Sequence, residues 1–134
     1  MDHFLQQARH NRDFLNCINE KFPDSFYDWK TTVLFYISIH LLKSLAKKRG
    51  KKIGDTHYDI EYSLNPRKCQ KQAFSFPPWA WDTYSRIHKY SKNSRYDGFL
   101  DGNLRLLAFK SDYERALIKF EAFESYIKSC DIDF

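Results

Sequence analysis

Apolar residues recur along this chain mainly at helical spacing. From about Asp2 to Glu20, Phe4 and Leu5, Ala8, Leu15 and Ile18 line up on one side, with Arg9, Arg12 and Asp13 between them. Phe22, Pro23, Asp24 and Ser25 break the pattern. Ser25 with Asp28 resembles a capping box, so a second helix is expected from Phe26 to about Lys48. Between Val33 and Leu42 it is apolar on nearly every side, as in a central bundle helix. Lys47, Lys48 and Arg49 suit the negative end of its dipole, and Gly50 suits the position after the cap. Thr56 with Asp59 predicts a short helix from His57 to Leu64, ended by Asn65 and Pro66. Arg67 to Phe76 has mixed character and reads as irregular.

Pro77 and Pro78 open a third long helix, from Trp79 to about Tyr96. Ala80, Thr83, Tyr84, Ile87, Tyr90, Ser91 and Ser94 share one face of it, and His88, Lys89, Lys92 and Arg95 occupy the other side. Asp97-Gly98 and Asp101-Gly102-Asn103 are turn signals. A last helix is expected from Leu104 to about Ser129, with a stripe of Leu104, Leu107, Ala108, Ser111, Leu117 or Ile118, Ala122 and Tyr126. The pattern as a whole predicts an all-α, antiparallel four- to five-helix bundle, one domain over residues 1–134.

Composition strengthens this reading. Leu, Ile, Val and Phe make up about a quarter of the chain, enough to build a core. With one valine, four threonines, four glycines and four prolines, the chain is poor in strand formers and in turns. Cys17, Cys69 and Cys130 are an odd set without paired spacing, which fits reduced thiols in a cytoplasmic protein and gives no zinc pattern. The start Met-Asp-His-Phe lacks the basic and apolar regions of a secretory leader. The apolar stretch from Thr31 to Leu42 is too short to span a bilayer, so no membrane association is expected.

The formal net charge of +5 favours acidic or phosphate-bearing partners. No glycine-rich phosphate loop, metalloprotease helix or nucleophile elbow is present, and no metal or other cofactor is expected. His88, Lys92 and Arg95 fall within about 60° of one another on their helix. They combine a proton carrier, a point charge and a bidentate phosphate ligand. Trp81 lies on the same side and is expected to stack on a base. The plainer reading of this face is a solvated helix surface. Arg49, Lys51 and Lys52, just before His57, form a second candidate phosphate surface, or simply a charged helix end. Tyr36 and His40, one turn apart on the most apolar helix, are expected as a buried polar pair. The 24 aromatic residues are many for one small bundle and favour a homodimer.

The run Asp28-Trp29-Lys30-Thr31-Thr32-Val33-Leu34-Phe35-Tyr36-Ile37-Ser38-Ile39-His40 resembles the second helix of HEPN-domain proteins. Ala8-Arg9-His10-Asn11, Thr56-His57 and Ser94-Arg95-Tyr96 look similar too. The resemblance implies a helical bundle and a dimer. In active members it implies a metal-independent endoribonuclease, in which an Arg followed after four to six residues by a His acts on the RNA 2′-OH. Here the positions after Arg95 hold Leu100, Asp101 and Gly102, and His57 falls one residue too far from Arg49. The expectation is therefore a non-catalytic module of a defence or toxin–antitoxin type system, binding RNA, a nucleotide or a protein encoded nearby. The alternative is a divergent ribonuclease using Arg95 with His88 or His57.

Overall fold

The computed structural model describes residues 2–96 and 102–134, with the side chains of residues 95, 96 and 102–104 left aside. The expected turn at Asp97-Gly98, and Asp101 of the next one, lie outside the described residues. Asp2 accepts hydrogen bonds from the backbone of Phe4 and Leu5 and so starts α1, His3–Lys21. The same carboxylate accepts from the Ser44 hydroxyl, which ties the start of α1 to the end of the next helix.

α2, Tyr27–Lys48, is buried along most of its length and contacts three other helices. Its hydroxyl-bearing residues can be buried because they bond back to their own helix. Thr31 donates to the Tyr27 carbonyl, Thr32 to Asp28 and Ser38 to Leu34, each at 2.8–2.9 Å. The expected Ser25 capping box is absent. Phe26 is the N-cap instead, in the left-handed region at φ 59° with no side-chain cap. Its ring meets Phe22 edge-on at 4.9 Å, and across the same turn the Ser25 N–H bonds the Phe22 carbonyl at 3.4 Å while the Tyr27 hydroxyl donates to the Pro23 carbonyl at 3.3 Å. The buried Lys30 closes the junction, its ammonium donating to the carbonyls of Phe22 and Pro23 at 2.6 and 3.3 Å. At the far end Gly50, at φ 67°, completes a Schellman motif. Its N–H bonds the Lys47 carbonyl, and that of Lys51 bonds Ala46.

α3, His57–Leu64, carries the expected capping box between Thr56 and Asp59. The stretch after Asn65 is irregular but fastened. Gln72 donates to the carbonyls of Leu64 and Phe76, and Phe74 and Phe76 are buried. α4 follows as Pro78–Tyr96 and α5 as Gly102–Ser129.

Contacts fix the directions. Asp2 meets Ser44 while Phe22 meets Lys30, so α1 and α2 are antiparallel. Tyr113 lies against Tyr27, and Lys48 donates to the Asp131 carbonyl, so α5 runs parallel to α2. Trp79 at the start of α4 packs edge-on against Tyr126 near the end of α5. The four long helices therefore alternate in direction, with α2 and α5 facing across the bundle. No strand occurs among the described residues.

Of the expected face of α4, Ala80, Thr83, Tyr84, Ile87, Ser91 and Ser94 are buried and Tyr90 is half-buried against the core. The α5 stripe is not. Its buried positions are Phe109, Tyr113, Ala116, Phe120, Phe123 and Ile127, whereas Leu107 and Ile118 are about two-thirds exposed, at 64% and 66%. Two apolar stripes compete on this helix, and the one with four large rings removes more area from water.

Candidate functional site: an imidazole pair between α3 and α4

α3 presents three faces. Ile60 and Leu64 enter the core. His57, with Glu61 one turn later, turns toward α4, and Tyr58 and Tyr62 remain on the outside. Because the capping box fixes the first turn, His57 is held at a set position against α4.

There it stacks on His88, with ring centroids 3.5 Å apart and planes 23° from parallel. Its Nδ1 lies 3.0 Å from the Tyr84 hydroxyl, and the hydrogen bond between them fixes the ring's orientation. Phe35 of α2 closes the inner side, 4.8 Å from the His88 ring and 6.1 Å from His57. Tyr84 is wholly buried, and burial pushes its phenol well above the ordinary range, so it stays protonated. Burial also pulls His57 below the ordinary histidine value. Glu61 opposes the shift, while Lys92 and Lys68 reinforce it. Glu61 is itself paired with Lys68 at 2.8 Å.

The structure thus brings His57 to His88 and Lys92, from which the chain separates it by more than thirty residues. Arg95 belongs to the last turn of α4, and its side chain lies outside the described residues. Trp81 corrects an expectation. It is only 2% exposed, packed behind His57 and Tyr84, and has no face to offer a base. It shares the side of α4 that holds His88, but one helical turn below Tyr84 that side faces the core. Tyr36 is another correction. It is 47% exposed and forms no buried pair with His40. The half-buried His40 has a buried Nδ1 without a hydrogen-bond partner, and burial, then Lys43, lower its pKa.

Arg49, Lys51 and Lys52 do not join the imidazole pair. Arg49 is the exposed C-cap of α2. Lys51 and Lys52 line a cleft of about 570 Å³ over Phe4, Ala46 and Ile53, shared with Lys43 and Lys47. Neither His57 nor His88 lines this cleft, so the surface expected to join His57 to Arg49, Lys51 and Lys52 does not form, and the cleft stands apart from the imidazole pair.

Sequence reasoning missed Tyr84, Glu61 and Lys68 as members of the site. Two of them carried a signal: Tyr84 lies four residues before His88, and Glu61 four after His57. Among the described residues no group of three or more His, Cys, Asp or Glu is placed to hold a metal ion. Nor is any helix among them long and apolar enough to cross a membrane. Comparison with protein-family models, with curated proteins and with solved structures gave no match.

Proposed function

We propose that this chain is a HEPN-like helical module that binds RNA through its phosphates at the outer end of the α3–α4 seam, without cleaving it. The observation that carries the reading is the stacked pair His57–His88 beside Lys92. Charging both rings at 3.5 Å costs Coulomb energy, and Lys92 adds to it. A phosphate against the pair supplies the missing negative charge. Arg95, at the end of the same helix, is the bidentate ligand the sequence offers. The stack itself argues against catalysis by the two histidines in concert. A general base and a general acid must flank the reacting phosphate, and two stacked rings leave no room between them.

The test is the affinity for a labelled oligouridylate, followed by fluorescence anisotropy across salt concentrations. Binding should weaken steeply with salt, and the Lys92→Ala/Arg95→Ala variant should bind less tightly with a slope flatter by about one to two units. Equal binding by parent and variant at every salt concentration refutes the location.

The second reading, a divergent ribonuclease, is favoured by the hydrogen bond that orients His57, as an acid–base residue requires. RNA cleavage in EDTA that disappears in Arg95→Ala would establish it over the first. Both readings include a homodimer, supported by the apolar residues that α5 leaves on the surface at Leu107 and Ile118. A sedimentation mass of one chain, 16.2 kDa, at tens of micromolar would refute that part.

A further inference from the structure

The outer face of α3 and the lysine cleft beside it form one continuous surface that the imidazole pair does not use. Lys52, Ile53 and Gly54 line the cleft on one side and also a second, shallower depression of about 380 Å³, whose other wall is Tyr58, Tyr62 and Ser63. Tyr58 and Tyr62 are 66% and 50% exposed, and their rings lie 4.8 Å apart. The Lys68 ammonium sits 5.9 Å over the Tyr62 ring. Large rings left this exposed one helical turn apart cost hydration free energy without stabilising the core.

The walls are built rather than loose. Gly50 and Gly54 both take positive φ, 67° and 89°. A Cβ on Gly54 would lie 2.3 Å from that of Asp59, so the loop is pressed directly onto α3. Lys43 donates to the Asp55 carbonyl at 2.9 Å and lies 5.9 Å over the Phe4 ring, which joins the loop to α1 and α2. The cleft walls carry four lysines against Asp55 alone, and the Asp59 carboxylate of the second depression is occupied by the Thr56 backbone in the capping box.

We propose that this surface is a second RNA-binding subsite, in which a single strand lays its phosphates along Lys47, Lys51 and Lys52 and stacks bases on Tyr58 and Tyr62. It rests on the RNA-binding reading above and extends it to the opposite side of α3. Charge complementarity selects a polyanion. The exposed ring pair selects one with flat, π-faced units, which single-stranded RNA offers and a duplex keeps stacked inside. The role expected of Trp81 thus passes to two tyrosines. The lysines supply the salt dependence, and the rings supply affinity that salt does not screen.

Three double variants of the full chain, with labelled oligouridylate as the probe, separate these contributions. Lys51→Ala/Lys52→Ala should weaken binding and flatten the salt slope by about 0.7 unit for each phosphate lost. Tyr58→Ala/Tyr62→Ala should weaken binding by about tenfold or more with the slope unchanged, and Tyr58→Phe/Tyr62→Phe should restore it, because a phenyl ring keeps the stacking face. All four side chains are exposed, and circular dichroism checks that the helices survive. Independently of any variant, ultraviolet crosslinking of a thiouridine-bearing strand to the unmodified protein should place the adduct on the peptide containing Tyr58 and Tyr62. If both alanine double variants bind like the parent and the adduct falls elsewhere, this subsite is refuted while RNA binding at the α3–α4 seam stands. If the Lys92→Ala/Arg95→Ala variant keeps parental affinity while the Lys51→Ala/Lys52→Ala and Tyr58→Ala/Tyr62→Ala variants lose it, the seam location is refuted and this subsite stands. No binding of oligouridylate by the parent overturns both.

Discussion

His40 and His57 make an instructive pair. Each is half-buried on a helix, and burial holds each below the ordinary histidine pKa. Around His40 little has been assembled: its Nδ1 has no hydrogen-bond partner, and the nearest charge acting on it is Lys43, three residues on. Around His57 three elements converge. α2 brings Phe35, α3 brings Glu61, and α4 brings Tyr84, His88 and Lys92. The same residue type with the same direction of shift is therefore a packing residue in one place and a candidate binding group in the other. Burial alone does not mark a site. The marks are a fixed ring orientation and convergent charges from several elements.

The contrast breaks most severely at Tyr84, which supports His57 from below and packs on Phe35 and Phe123. Tyr84→Ala should cost about 3–5 kcal/mol of stability in denaturant titrations, as for other large aromatic truncations in a core. Tyr84→Phe keeps the ring and deletes the hydroxyl. It should cost about 1–2 kcal/mol, the penalty for leaving the half-buried His57 Nδ1 without its partner. A Tyr84→Phe variant as stable as the parent would show that the hydrogen bond does not hold the ring, and His57 would then stand no higher than His40.

A smaller effect comes from pH. Both imidazoles have folded-state pKa values below the unfolded value of 6.5, so between the two values the unfolded chain binds more protons. Their contribution to stability is full above about pH 6.5 and is lost as the pH falls through 6.5 toward the folded-state values. Denaturant midpoints should decline from pH 7 to pH 5, and the His40→Leu/His57→Leu variant should decline less. A parent that gains stability on acidification over this range contradicts burial as the cause. Saturating oligouridylate should reduce the decline at His57 alone, because a bound phosphate favours its charged form.

The smallest expected change is His40→Leu measured at pH 7. It removes a polar atom that has no partner to leave behind, so the midpoint should shift by no more than about 0.5 kcal/mol in either direction. Loss of RNA affinity in this variant would assign His40 a role that its surroundings do not support.

Sequence alone determined the helices and their ends, because the forces that set them are local. The Thr56–Asp59 box, the Gly50 cap and the apolar girth of α2 each act within a few residues. Two local signals nevertheless misled. Ser25 lost the N-cap to a turn packed by Phe22 and Phe26, and the leucine stripe of α5 lost the core to its aromatic rival. Candidate site residues were legible as residue types: His57, His88 and Lys92 stood out as groups able to meet a phosphate. Which of them meet was decided by tertiary structure, since α3 has three usable faces and only its docking against α4 chooses one for His57. Tertiary packing also buried Trp81, left Tyr58 and Tyr62 exposed, and joined His57 to His88 and Lys92 and not to Lys51 and Lys52. Helical periodicity says which residues share a face. Which face turns inward depends on the area that each alternative removes from water across the whole bundle, and that sum cannot be taken one helix at a time.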